Sequence, residues 1–529
     1  MSQRIKMAAS ALSVVAALGA FVAQPVLAQE IKIGMQGEPG TMDPQFNLLG
    51  TNTSALRNIY DTLSSRDQNL QLVPSLALSW RVVDETTWEY KLRPNVKFHD
   101  GSPFTAADVK FTIERVPNVP GNPNSYLVYV NQIKQVHVID PLTVHFKTDG
   151  PAPLLPTNLS NIFIISSAKG VQSPADFNSG KAAIGTGPYK FSSWQPGSPF
   201  VLERNEQYWG AKPDWAKVTF MPITRDASRV AALLSGAVDF INVVPIADLE
   251  NLSKDKRFKV FAGDSAYTYM MFPDVGRDDP PGVTDETGKP VTKNPFKDAR
   301  VREAFSIGMN RPGIVERIME GRATVANQVL PKGFFGRAEK LAMPAYDADK
   351  ARKLLADAGY GKGFGVQLAC PNDRFINDAK ICEAVAQNLA RLNIKVELQS
   401  QPRAVFFPAR AKNAFGLHMA GWGSLTGEGI YFLQAQVHTP NKELGLGAIN
   451  TNGVGEPDID QLIQRARRTL DDKQRDALIQ DAMTKTFERN LIIPALTFQT
   501  IWAGRADKVD FKTRADEETL AIEIKRVGS

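Results

Sequence analysis

The chain has 529 residues, too many for one compact core, so two or three domains are expected. Its 43% hydrophobic and 22% charged residues are those of a globular protein, and its 39 Gly and 34 Pro build no collagen-like or low-complexity run. The net charge of +6 comes from 62 basic and 56 acidic residues with interleaved signs. That pattern lacks the one-sided basic footprint of a nucleic-acid binder, and no nucleic-acid partner is expected.

The N-terminus reads as an export signal. Arg4 and Lys6 form a basic start, residues 8–23 are apolar and small, and Val26, Leu27 and Ala28 supply a cleavage site before Gln29. The alternative is a buried or membrane-spanning helix, but the run is short for a span and ends at Pro25. A signal peptide over 1–28 is therefore expected. No Cys stands at the cleavage site to take a lipid, and no later segment has 18 uninterrupted apolar residues. The mature protein is expected to be soluble, without a membrane anchor, in a Gram-negative periplasm.

Ile31 and Ile33 alternate with polar or small neighbours and predict a first strand, followed by the turn-rich GEPGTMDP. Trp88, Tyr90 and Leu92 alternate in a second strand. Thr105 and Asp108 are spaced as a helix capping box. Val136 and Val138, then Leu142, Val144 and Phe146, predict a hairpin around Asp140-Pro141. Residues 225–235 form a helix stopped by Gly236, and the strand VDFINV follows. Residues 280–295 are polar and turn-rich, a surface connection or boundary. Asp347 caps a helix with Ala351, Leu354, Leu355 and Ala358 on one face, ended by Gly359.

The segment 364–400 carries the most information. Phe364, Val366 and Leu368 alternate as a strand, and PNDRFIND makes a loop. Ile381, Val385, Leu389 and Leu392 stripe a helix, and Ile394, Val396 and Leu398 alternate as a second strand. This is a βαβ unit with parallel strands and a right-handed crossover. Ligands of such units meet the carboxyl ends of the strands. Arg374 lies on that loop, before a helix whose first N–H groups also favour anions. It is either an anion-binding residue or a surface ion pair. The two cysteines, Cys370 and Cys382, flank the same loop. Export puts them in an oxidising compartment, and a disulfide is expected, with two separate thiols as the alternative.

Several segments resemble the solute-binding protein family 5 of ABC importers, which includes periplasmic oligopeptide-, dipeptide-, glutathione- and nickel-binding proteins. They are residues 59–116, then GTGPYKFSSW at 185–194 and LERNEQYWG at 202–210. NPFKDARVREAFSIGMNR at 294–311, DKARKLLADAGY at 349–360 and LIIPALTF at 491–498 complete the ordered set. The resemblance implies an α/β fold of two lobes, the type II periplasmic-binding-protein fold with an extra subdomain and a ligand cleft between lobes. It maps lobe I to 29–60, 186–275 and 496–529, the extra subdomain to 61–185 and lobe II to 276–495. It implies a monomer that captures a small peptide or peptide-like solute and hands it to the transmembrane subunits of an ABC permease. Other solutes of the family (an opine, a nickel chelate, haem, a sugar derivative) are the alternative.

The resemblance also carries two ligand positions. Dipeptide-binding relatives grip the peptide carboxylate with an Arg that Arg374 matches, and a planar guanidinium suits that role. They pair the free amine with an Asp after a Gly-Trp pair. Leu425 stands there in GWGSLTGEGIYFL, so that site is missing or displaced, and Glu428 is the carboxylate nearest in sequence. Trp422, Ser424, Thr426 and Glu428 are candidates for this wall, against core packing for Trp422 and a solvated charge for Glu428. Met42 and Asp43, Tyr269 and Met271, and Arg403 are further candidates that could equally be core or hinge residues.

A secreted hydrolase is the rival class. The chain has no G-x-S-x-G, H-E-x-x-H or P-loop motif. Ser306 lies in a helix-like stretch, and the five histidines have no zinc-like spacing; His418, near Trp422, is the one to watch. No enzyme activity, cofactor or resident metal is expected.

Overall fold

The computed structural model describes residues 29–123 and 125–528; the expected signal peptide lies outside them. One mixed sheet runs through the molecule. Its order from one edge is Val283–Thr284, Gly365–Pro371, Leu417–Gly423, Phe258–Pro273, Ile493–Arg505, Phe240–Asn242, Glu30–Met35, Lys217–Pro222, Phe200–Arg204 and Tyr189–Ser193. Lys395–Gln401 and Ala323–Val325 pair at its side, on Gly365–Pro371 and Ile493–Arg505.

Two long antiparallel strands, Phe258–Pro273 and Ile493–Arg505, join the halves of this sheet. Asp264 faces Gln499, but Thr268 already faces Thr497, so residues 265–267 bulge out of register. A bulge bends and twists its strand. Before it, Phe258–Asp264 belongs with the sheet around Glu30–Met35; beyond it, Tyr267–Pro273 pairs with Leu417–Gly423. The bend therefore sets two lobes at an angle, connected through two strands.

The first lobe buries Ile31, Ile33, Phe200, Trp215, Phe240 and Trp502. Attached to it is a four-stranded antiparallel sheet in the order Ala77–Asp84, Thr87–Leu92, Thr143–Thr148, Ile133–Asp140. The alternation of Trp88, Tyr90, Val144 and Phe146 turns these side chains onto one core with Val109 and Ile113 of the helix Ala106–Arg115. That helix starts with the capping box of Thr105 and Asp108. The second lobe buries Phe296, Phe305, Phe364, Leu368 and Val385, and its core continues through Ile501 and Ala503 to the helices Asp226–Leu234 and Ile246–Lys254.

The βαβ unit comprises Gly365–Pro371, the helix Asp378–Ala390 and Lys395–Gln401, with the strands parallel and in register from Gly365↔Lys395 to Pro371↔Gln401. A disulfide joins Cys370 at the strand's carboxyl end to Cys382 on the helix, across 12 residues, with the Cα atoms 6.6 Å apart. It closes the loop that carries Arg374. Closing a loop of this length stabilises by about 3 kcal/mol through chain entropy. Cys370→Ala with Cys382→Ala is expected to lose about that much in urea unfolding, and dithiothreitol should lower the melting temperature of the wild type but not of the double variant.

Candidate functional site: a cleft between two lobes

Two contiguous cavities, of about 360 and 480 Å³, lie at the bend. They share Gln36 and Val243 from the first lobe, Tyr267 from the bulge and Glu517 from the C-terminal segment. The first extends toward the small antiparallel domain, past Arg57, Arg66, Tyr129 and Asn161, with Leu425 and Thr426 reaching over from the second lobe. The second is walled by Arg317, Arg374, Phe375 and Lys380 of the second lobe and Asp226 of the first, with Gln499 and Thr500 of the crossover strand as floor.

Arg374 is held above an aromatic platform. Its guanidinium lies 4.6 Å from the Phe375 ring centroid and 5.6 Å from that of Tyr267. Two glycines make the platform possible: a Cβ on Gly421 would come within 2.5 Å of the Phe375 ring, and one on Gly423 within 2.5 Å of Tyr267. The strand Leu417–Gly423 thus leaves room for both rings against its backbone. Arg374 is exposed and has no carboxylate within ion-pair distance among the described residues. It is a cation presented to the cleft.

The loop and the helix start beside it already hold a carboxylate. The Asp378 carboxylate accepts from the backbone N–H groups of Arg374 and Phe375 (both 3.0 Å) and Ala379 (2.9 Å). Burial raises this carboxyl against those donors. Of the helix N–H groups expected to favour a ligand anion, that of Ala379 is taken by the chain's own carboxylate, and Arg374 adds an exposed guanidinium on the same loop.

Residues 516–518, Asp-Glu-Glu, line the cleft from the C-terminal segment. Asp516 is paired with Arg514 at 2.6 Å and Glu518 with Arg57 at 2.8 Å. Glu517 between them takes φ +66° and turns the other way, with Oε1 accepting from Ser265 Oγ at 2.7 Å. Burial raises its carboxyl, and the Ser265 hydrogen bond and the Arg374 charge oppose that rise. Burial likewise raises the Tyr267 hydroxyl, which the charge of Glu517 pushes further up and that of Arg374 pushes down.

Of the residues expected at a ligand site, Arg374 and Thr426 line the cleft. The others lie elsewhere. Glu428 is buried in an ion pair with Arg475, with Thr157 Oγ1 at 3.4 Å from its other oxygen, so its carboxylate is consumed within the fold. Burial raises it and Arg475 counters. Trp422 packs edge-on against Phe432, 5.7 Å between centroids, and Ser424 is buried with its N–H on the Ala266 carbonyl. Met42 is fully enclosed in the first-lobe core. Asp43 is fully buried in a two-point ion pair with Arg115. Met271 is core, and so is Tyr269, whose ring is covered by Phe375 and Phe498 and whose hydroxyl meets Cys382 Sγ at 3.5 Å. Arg403 sits exposed at the start of the helix Arg403–Ala411, its N–H on Asp373 Oδ1. His418 is buried and stacked on Phe272, and burial holds it well below its ordinary pKa. Among the described residues no three His, Cys, Asp or Glu side chains converge as a metal site.

Tyr267, Glu517 and Arg66 were not singled out from the sequence. Tyr267 shares a strand face with Tyr269, two residues on, so alternation identifies the face but not which ring the loop covers. The acidic run at 516–518 was visible, but its position opposite Arg374 depends on contacts between residues far apart in the chain.

A family model described as "Bacterial extracellular solute-binding proteins, family 5 Middle" matches residues 71–443. A glutathione-binding protein of Pectobacterium atrosepticum is 26% identical over 475 residues, covering 88% of this chain and 88% of that protein. HbpA2 of Haemophilus parasuis superimposes with a TM-score of 0.79 at 22% identity, over 94% of this chain and 99% of the other. The periplasmic binding protein DppA of Helicobacter pylori, solved with the peptide STSA, gives 0.70 at 22% identity, over 94% and 98%. The long family match, the lobes hung on two crossover strands and the cleft at their bend lead to one conclusion: the chain belongs to the bacterial extracellular solute-binding proteins of family 5 and has their periplasmic-binding-protein fold.

Proposed function

We propose that this chain is the periplasmic receptor of an ABC importer, that it binds a peptide-like solute between its lobes, and that it passes the solute unaltered to the transmembrane subunits. The observation that carries the reading is the cleft itself: cavities meeting at the register break, with an unpaired guanidinium on one wall and a carboxylate on the other. Charged groups so placed suit a solute with opposite charges, and closure about the bend would let both lobes touch it. The glutathione-binding relative and the peptide in the DppA complex support a peptide-like solute. We assign 29–60, 186–275 and 496–529 to lobe I, 61–185 to its extra subdomain and 276–495 to lobe II. The receptor acts as a monomer and not as an enzyme.

A thermal-shift screen of di- to pentapeptides, glutathione, opines and nickel chelates tests this. A cognate solute at a hundred times its dissociation constant is expected to add about 2.7 kcal/mol to stability and to be recovered unchanged. Turnover of any of them, or stabilisation by none, would count against the proposal.

A further inference from the structure

Glu517 is the carboxylate common to both cavities. Its two acidic neighbours are neutralised by Arg514 and Arg57, whereas Glu517 has no cation within 4 Å among the described residues. Ser265 Oγ donates to one of its oxygens, and the other has no side-chain hydrogen bond among the described residues. Glu517 is half-buried, the Arg374 charge acts on it only from beyond ion-pair distance, and a cation arriving at its oxygens would lower the cost of keeping it ionised.

Cations without carboxylate partners flank it on both sides. Arg374 lines only the second cavity. Arg66 lines only the first, 7% exposed. Its guanidinium donates to the Thr157 carbonyl at 3.0 Å and to Asn161 Oδ1 at 3.3 Å, Nε has no partner, and no carboxylate lies within 4 Å among the described residues. Arg57 adds positive charge nearby, its own partner being Glu518. Arg374, Glu517 and Arg66 therefore place plus, minus and plus along the two cavities, among further lining charges at Glu38, Arg317, Glu320, Asp373 and Lys380.

We propose that Glu517 is a specificity-determining residue that receives an ammonium group of the solute, between one anionic group held by Arg374 and a second near Arg66. The solute class is an amino dicarboxylate long enough to enter both cavities, such as a γ-glutamyl peptide or a secondary-amine-linked dicarboxylate. This rests on the solute-receptor reading above and adds which charges the solute must carry. A neutral solute, or a dicationic one, would leave two guanidinium groups unanswered.

The test is calorimetric titration of wild type and Glu517→Gln with γ-glutamyl peptides including glutathione, ordinary tripeptides and secondary-amine dicarboxylates, each free, N-acetylated and esterified. Glutamine keeps the acceptor for Ser265, and a melting curve checks the fold. Free amino dicarboxylates are expected to bind wild type, to weaken about ten- to a hundredfold in Glu517→Gln, and to weaken similarly on N-acetylation. N-acetylated forms should bind both proteins alike, because the interaction removed is the same one. Esterifying the carboxylates should also weaken wild-type binding. Equal binding of free and N-acetylated forms by wild type, or unchanged affinity in Glu517→Gln, overturns the assignment of Glu517 while leaving the receptor reading intact. Binding by no member of the set overturns the amino-dicarboxylate class, while the receptor reading is decided by the wider thermal-shift screen.

Discussion

Asp43→Ala is expected to remove about 3–5 kcal/mol of folding stability, as other broken buried ion pairs do. Asp43 is fully buried and Arg115 nearly so, and they meet at two points, Nη1 to Oδ1 at 3.0 Å and Nη2 to Oδ2 at 2.6 Å. Without the carboxylate, Arg115 keeps Gln45 Oε1 at 2.9 Å, the Gln172 carbonyl at 3.3 Å and the Phe177 ring face. Those groups offer dipoles but no counter-charge, and water has no access. The damage falls on the joint between the first lobe and the helix Ala106–Arg115 of the small domain. Urea unfolding measures the loss, and solute affinity far below the melting temperature should stay within about twofold, since neither Asp43 nor Arg115 lines either cavity. Normal stability with lost affinity would instead return Asp43 to the ligand site.

Arg374→Ala should behave in the opposite way. The side chain is exposed and has no carboxylate partner among the described residues, so unfolding should change by about 1 kcal/mol, the worth of its exposed contacts with the Phe375 and Tyr267 rings. Once the lobes close, its charge pair with a solute carboxylate is desolvated, and truncating such a pair costs about 2–5 kcal/mol, roughly thirtyfold to several thousandfold in affinity. Arg374→Lys should recover part of this, because an ammonium keeps the charge and loses the planar fork. Titration with the tightest solute of the screen gives the number. Affinity unchanged in Arg374→Ala removes this residue from the site.

The fold was readable in the chain wherever local pattern decides it. The alternation around Trp88 and Val144, the cap at Thr105 and the strand–helix–strand stretch after Phe364 each match the structure because period and capping are local properties. Arg374 was readable for the same reason: strand, loop and helix put it at a carboxyl end. Long-range choices were not. Nothing in GWGSLTGE says that Arg475, 47 residues later, takes up Glu428. Nothing in GTMDP says that Arg115 takes up Asp43. A carboxylate in a loop looks the same in sequence whether its partner is a solute or the chain. Glu517 is the converse case: its neighbours find partners within the fold and it does not, which becomes visible only when residues 265, 374 and 517 stand together.

The receptor reading comes down to whether this cleft carries an intact guest. Native mass spectrometry of the protein purified from its own host measures that directly. One small solute per chain is expected, dissociating chemically unchanged and missing from Arg374→Ala prepared in parallel. A wild-type chain that never carries a solute in cells growing on peptides, or one that releases a cleaved product, would contradict it.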